Sequence, residues 1–226
     1  MRTRPIVALL LCAAVLFVVP RTQEAQAQSV RLEAGGGWAI PSTTLTVEDT
    51  EGQPTARVNP GSGPNAYAAA GLVWTLSENF SLEARLRAQQ SQLQVDGEDV
   101  ASPVCGGECE LRNNPDGNLR AATVEGQLTL TSVGRVNPYF LVGLGVAQTT
   151  IDATTLIPPN GNERRLAEVD VTDAGGDVGF GATTRIAGGL FVTAEARVTG
   201  SLPGAKDNAV TTFPFTLGLS YTFGGQ

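Results

Sequence analysis

The chain has 226 residues, with 15 basic and 22 acidic side chains, three cysteines and no histidine. A net charge of −7 with no basic cluster gives no electrostatic footprint for nucleic acid. The missing imidazole removes the usual base of Ser and Cys hydrolases and a principal zinc ligand, so no enzyme activity, metal or cofactor is expected.

Residues 1–27 read as an export signal. Arg2 and Arg4 precede an apolar run over residues 6–19, and Ala25, Gln26 and Ala27 form a small-residue cleavage site. The run is shorter than the roughly 20 apolar residues of a spanning helix. A lipoprotein reading of Cys12 is disfavoured, because Leu11 stands where a small residue is required. Cleavage after Ala27 removes Arg2, Arg4, Arg21 and Glu24, leaving 12 basic and 21 acidic residues and a net charge of −9. Residues 28–226 then form one β domain, and membrane integration falls to strands.

Eight segments alternate with a period of two, each close to the 9–11 residues or so of a tilted membrane strand. In the first, Val30, Leu32, Ala34, Trp38 and Ile40 oppose Arg31, Glu33, Gly35, Gly37 and Ala39. The second aligns Ala70, Leu72, Trp74 and Leu76. The third sets Phe80, Leu82, Ala84, Leu86 and Ala88 against Ser81, Glu83, Arg85, Arg87 and Gln89. The fourth sets Ala122, Val124, Gly126, Leu128 and Leu130 against Thr123, Glu125, Gln127 and Thr129. The fifth separates Phe140, Val142, Leu144 and Val146 from Leu141, Gly143 and Gly145. The sixth separates Val178, Phe180, Ala182 and Ile186 from Asp177, Gly179, Gly181, Thr183 and Arg185. The seventh opposes Leu190, Val192, Ala194, Ala196 and Val198 to Phe191, Thr193, Glu195, Arg197 and Thr199. The eighth carries Phe213, Phe215, Leu217, Leu219, Tyr221 and Phe223 on one face and Thr212, Pro214, Thr216, Gly218, Ser220 and Thr222 on the other.

The connections alternate in length. Short turns lie at residues 77–79, 132–137 and 187–189, and long polar loops at residues 41–65, 96–117, 150–174 and 202–210. This segregation predicts an all-β fold, an eight-stranded antiparallel up-and-down transmembrane β-barrel with both chain ends on the short-turn side. A soluble barrel would alternate too, with its apolar face inward. The membrane arrangement is favoured by glycines in register on the polar face (Gly35, Gly37, Gly143, Gly145, Gly179, Gly181). Aromatics near strand ends, at Trp38, Trp74, Phe80, Phe140, Phe191, Phe213 and Tyr221, suit interfacial girdles.

An inward polar face carries Arg31, Arg85, Arg87, Arg185 and Arg197 against Glu33, Glu83, Glu125, Asp177 and Glu195, five of each sign. Isolated buried charge is costly, so a balanced set predicts an ion-pair network that plugs the narrow interior of an eight-stranded barrel. Cys105 and Cys109 (C-G-G-E-C) are the only mature cysteines, and in an oxidising compartment a loop disulfide is the leading reading. A two-thiolate zinc site using Glu108 and Glu110 is the alternative. The loop carboxylates Glu48, Asp49, Glu51, Asp96, Glu98, Asp99, Asp116, Glu163, Glu168, Asp170 and Asp173 read as solvated acidic loops or as Ca²⁺ ligands. The first reading is favoured because no D-x-[DN]-x-[DN]-G pattern is present.

The segments NPYFLVGLGVA (137–147), GDVGFGATTRI (176–186) and FPFTLGLSYTF (213–223), with the export signal, resemble the eight-stranded outer-membrane β-barrel domain family, akin to the barrels of OmpA, OmpX and OmpW. The resemblance implies a monomer in the outer membrane, in contact with its lipid and lipopolysaccharide. It also implies handling by the barrel assembly machinery, which reads a terminal aromatic, although here Phe223 is followed by Gly224, Gly225 and Gln226. The implied function is non-enzymatic, in envelope integrity or extracellular binding, with passive transport of small or hydrophobic molecules as the alternative.

Overall fold

The computed structural model describes residues 29–48, 54–95, 100–102, 107–108, 110–131, 135–158, 161, 163–202 and 210–224. The export signal, Cys105 and Cys109 lie outside the described residues. In chain order the strands are β1 (Ser29–Pro41), β2 (Leu45–Glu48), β3 (Pro54–Val58), β4 (Gly63–Ser77), β5 (Phe80–Gln94), β6 (Val100–Ser102), β7 (Gly107–Glu108) and β8 (Glu110–Leu111). They continue with β9 (Asp116–Leu130), β10 (Val136–Ile151), β11 (Thr154–Ile157), β12 (Arg164–Leu166), β13 (Val169–Ala187), β14 (Leu190–Ser201) and β15 (Thr211–Phe223).

Eight of these strands close into an antiparallel barrel in the order β1-β15-β14-β13-β10-β9-β5-β4, each paired with its neighbours in sequence and β1 sealed against β15. All eight segments expected from the alternation are wall strands. Closure leaves no unpaired edge, which a backbone in hydrocarbon requires. Tight turns join β4 to β5 through Glu78 and Asn79, and β13 to β14 through Gly188 and Gly189. Gly188 adopts φ 51°, a left-handed conformation that glycine takes without steric cost. The β14–β15 pairing is interrupted between Ala196–Phe215 and Thr199–Thr212 with its register kept, at Pro214, which has no N–H to donate.

The alternation divides the wall as expected. Large apolar side chains point outward and are exposed, among them Leu32, Leu72, Leu86, Phe140, Val178, Phe180, Phe215 and Leu217. Inward positions on the same strands are buried and polar, including Glu83, Arg85, Arg87, Glu125, Glu195 and Arg197. An exposed apolar belt around a charged interior inverts the soluble-protein pattern and belongs in lipid.

The long connections are not merely polar loops. They contain short strands in a four-stranded sheet, β2-β3-β6-β7, and a three-stranded sheet, β12-β11-β8. Leu45, Val47, Ala56, Val58, Val100, Leu156 and Leu166 from these strands pack with Leu93, Leu119, Ala121, Ala147, Ile151 and Val169 from the inward faces of the wall. Leu45, Leu119 and Leu156 are 0% exposed. The physical reason is length: a run such as Leu45-Thr46-Val47 alternates over too few residues to form a strand alone and gains its partners only in the tertiary structure.

Candidate functional site: an ionic lumen beneath an apolar cap

The inward carboxylates and guanidiniums meet at mid-barrel. Arg85 on β5 lies 2.5 Å from Glu125 Oε2, 3.1 Å from Glu195 Oε2 and 3.7 Å from Glu33 Oε2. Arg87, one step along the same face, lies 3.2 Å from Glu195 Oε1 and 4.0 Å from Glu125 Oε1. Arg197 on β14 contacts Glu125 at 2.8 Å, Asp177 at 3.2 Å and Glu195 at 2.7 Å. Nearer the short turns, Arg31 Nη1 donates to Glu83 Oε2 at 2.9 Å and its guanidinium sits 5.3 Å from the Phe191 ring centroid. β5 and β14 stand diametrically opposite in the strand order, so Arg85 and Arg87 reach Glu195 across the full lumen.

The structure brings together nine of the ten charges expected in the lumen and excludes one. Arg185 is exposed at the end of β13, where the register shifts before Ala187, and its Nε donates to the Gly188 carbonyl in the adjoining turn. Alternation assigns a face but not a depth, and Arg185 shares the phase of the lumen without its height. The expected five-to-five balance therefore becomes four arginines against five carboxylates in this set. Phe191 is a second correction. It projects inward over Arg31 and is not part of the lipid-facing girdle.

Two members of the site escaped the sequence reading. Tyr67 Oη donates to Glu33 Oε1 at 2.7 Å, and Arg87 lies over the Tyr67 ring at 3.6 Å from its centroid. Tyr139 Oη donates to Glu195 Oε2 at 2.9 Å. Thr123 Oγ1 donates to Asp177 Oδ2 at 2.9 Å and lies 3.0 Å from Glu125 Oε1. The missed signal was phase: Tyr67 sits opposite the Leu72 and Trp74 face, and Tyr139 shares the face of Leu141 and Gly143.

Two glycines of that register face tyrosines. Gly35 and Gly181 are the cross-strand partners of Tyr67 and Tyr139. A Cβ on Gly35 would lie 2.7 Å from Tyr67 Cε1, and one on Gly181 would lie 2.5 Å from Tyr139 Cζ. Each tyrosine side chain occupies the space that a Cβ on the facing glycine would need.

Above this tier the inward face changes chemistry. Leu93 follows Glu83, Arg85 and Arg87 on the inner side of β5, and Leu119 and Ala121 precede Glu125 on that of β9. These residues form the floor of the apolar cap. Among the acidic loop residues described, Glu163 pairs with Arg112, and Asp170 Oδ1 accepts from Gln148 Nε2 at 2.9 Å. No group of three described Cys, Asp or Glu residues is placed to hold a metal ion. Asp49, Glu51, Asp96, Glu98 and Asp99 lie outside the described residues.

A closed eight-stranded wall with an apolar outer face and a charged interior defines an integral outer-membrane β-barrel. The chain belongs to the outer membrane protein beta-barrel domain family, whose model matches residues 8–223, and it resides in the outer membrane. No curated protein matches the sequence. The fold is shared with the outer-membrane protease OmpT from Escherichia coli, with a TM-score of 0.50 at 13% identity, covering 90% of this chain and 99% of that one. Similar structures include Ail, the attachment invasion locus protein of Yersinia pestis, in complex with the heparin analogue sucrose octasulfate, with a TM-score of 0.44, 13% identity, and 88% and 99% of the two chains covered. Neisserial surface protein A gives a TM-score of 0.44 at 12% identity over 89% of this chain and all of its own, 100%.

Proposed function

We propose that this protein is a closed, non-enzymatic barrel that serves envelope integrity or extracellular binding through its long-loop rim, with the short turns in the periplasm. The observation that carries this reading is the bridging of opposite walls by Arg85, Arg87 and Glu195, whose side chains are no more than 1% exposed. Hydrogen-bonded ion pairs at this density leave little space for a hydrated path in so narrow a cylinder. The apolar cap adds a second seal, because ions do not cross a packed hydrocarbon core. Single-channel recording in planar bilayers tests this reading. The expected result is no stable conductance, and a large, long-lived open state would overturn it.

Passive transport is the second reading, and the seam beside Pro214 favours it. Proteoliposomes that admit a small apolar tracer, and lose that uptake in Pro214→Ala, would establish it over the first. An export signal ending at Ala27 and a Cys105–Cys109 bridge belong to the same proposal. A mature terminus at Gln28, and two thiols appearing only after reduction, are the expected mass-spectrometric results. Lipopolysaccharide and the barrel assembly machinery complete the proposed partners of the monomer.

A further inference from the structure

The wall is uneven in height. β4, β5, β9, β10 and β13 are consecutive in the barrel and long, and β4 stays beside β5 up to the Gly61–Gln94 bridge, whereas β1, β14 and β15 are shorter. On this projecting side the outward face changes abruptly. Along β5, Leu86 and Ala88 give way to Gln90, Gln92 and Gln94, and along β9, Val124 and Ala122 give way to Arg120, Asn118 and Asp116. These six residues are cross-strand partners, Gln90 with Arg120, Gln92 with Asn118 and Gln94 with Asp116. Gln90 Nε2 donates to Asn118 Oδ1 at 2.9 Å, and the amides, with Asn114 and Pro115, line a cleft of about 670 Å³. That volume is in the range of small-molecule sites, roughly 300–1,000 Å³.

We infer that this cleft binds a saccharide chain carried by a glycolipid of the surrounding outer leaflet. The chemistry of the lining selects the ligand class. Primary amides present both donors and acceptors without net charge, which matches the paired donor and acceptor character of sugar hydroxyls. A polyanion would meet Asp116, with Arg120 the one cation on the outward faces of β5 and β9, and an extended peptide has no edge to join, since β5 and β9 are paired on both sides. Height selects the source. Gln90 lies two residues beyond Ala88, about 7 Å along the strand, so the cleft opens sideways immediately above the belt, where lipid-linked sugars stand. Gln148 and Thr150 on β10, and Asp170 and Thr172 on β13, continue the polar surface around the same side.

The inference rests on the proposed outward orientation of the long-loop rim and is independent of whether the lumen conducts. Cleavage of the loops by external protease on whole cells reads orientation separately. The site itself is tested with the full-length protein in phospholipid nanodiscs containing lipopolysaccharide, lipid A lacking the core oligosaccharide, or neither, and with the free core oligosaccharide added to the last. Side-chain amide resonances of Gln90, Gln92 and Asn118 are expected to shift with lipopolysaccharide and to stay in place with lipid A. Gln92→Ala with Asn118→Ala, checked for folding by heat-modifiable migration, is expected to weaken lipopolysaccharide retention about tenfold, as two lost neutral hydrogen bonds imply. Equal shifts with lipid A, or unchanged retention in the double variant, would overturn the saccharide site. Free oligosaccharide binding as tightly as lipopolysaccharide would overturn the membrane-borne source.

Discussion

The lower and upper halves of the barrel interior are filled by opposite chemistries. Below, four arginines pair with five carboxylates among tyrosines and threonines. Above, the same inward positions on the same strands carry leucine, isoleucine, valine and alanine packed against strands from the loops. Ionic pairs hold their partners by direction and specific geometry, so the lower tier fixes the relative positions of opposite wall strands. Dispersion and burial are non-directional, so the upper tier can accept several short segments from different loops around one apolar centre. The lower plug is therefore part of the wall, and the upper plug is a separate small core resting on it.

The largest effect that would break this contrast is loss of the charge that joins the walls. Glu195→Ala removes one of the two carboxylates that Arg85, Arg87 and Arg197 share and leaves Glu125 alone to serve all three, so a destabilisation of about 3–5 kcal/mol is expected in chemical unfolding from bilayers. A change below 1 kcal/mol would mean that the ionic tier is ornamental to the wall. In the upper tier, Leu156→Ala deletes a fully buried side chain on a loop strand, with an expected cost of about 2–4 kcal/mol confined to the cap. The measurable signature is faster protease nicking of the loops with heat-modifiable migration unchanged. Loss of that migration would show that the two tiers fold as one unit.

Smaller effects sharpen the contrast. Gly181→Ala places a methyl against the Tyr139 ring and is expected to cost about 1–3 kcal/mol, partly recovered when Tyr139→Phe removes the crowded hydroxyl. An additive double variant would argue against direct contact between the two sites. The smallest effect is expected at the rim, where the exposed Arg112–Glu163 pair contributes at most about 1 kcal/mol. Arg112→Ala should lose even that difference in 1 M salt, whereas the penalty of Glu195→Ala should persist.

Much of the wall was legible because a strand repeats every two residues and lipid rewards an unbroken apolar face. Glu83, Arg85 and Arg87 on the third segment, and Glu195 and Arg197 on the seventh, announced their inward direction by phase alone. Arg185 shows the limit of that signal, and Phe191 shows its strength against a competing one. Phase does not report distance from the turn, so it places Arg185 with the lumen although it lies at the rim; for Phe191 phase points inward correctly, and nearness to a strand end is what misleads toward the girdle. Tyr67 and Tyr139 were readable in principle, but a lone aromatic on a small-residue face has no pattern until the glycines across from it are known.

The sequence by itself determined the closed β wall, its inward and outward faces, its outer-membrane setting and the charge of its lumen, because each is a local or strand-length property with a period of two. Which arginine meets which carboxylate was decided only by tertiary structure, since Arg85 and Glu195 are 110 residues apart and meet only when the cylinder closes. The apolar cap was likewise decided there. Its segments are two to five residues long, each too short to declare a strand, and they acquire a core only when the wall delivers them to one place.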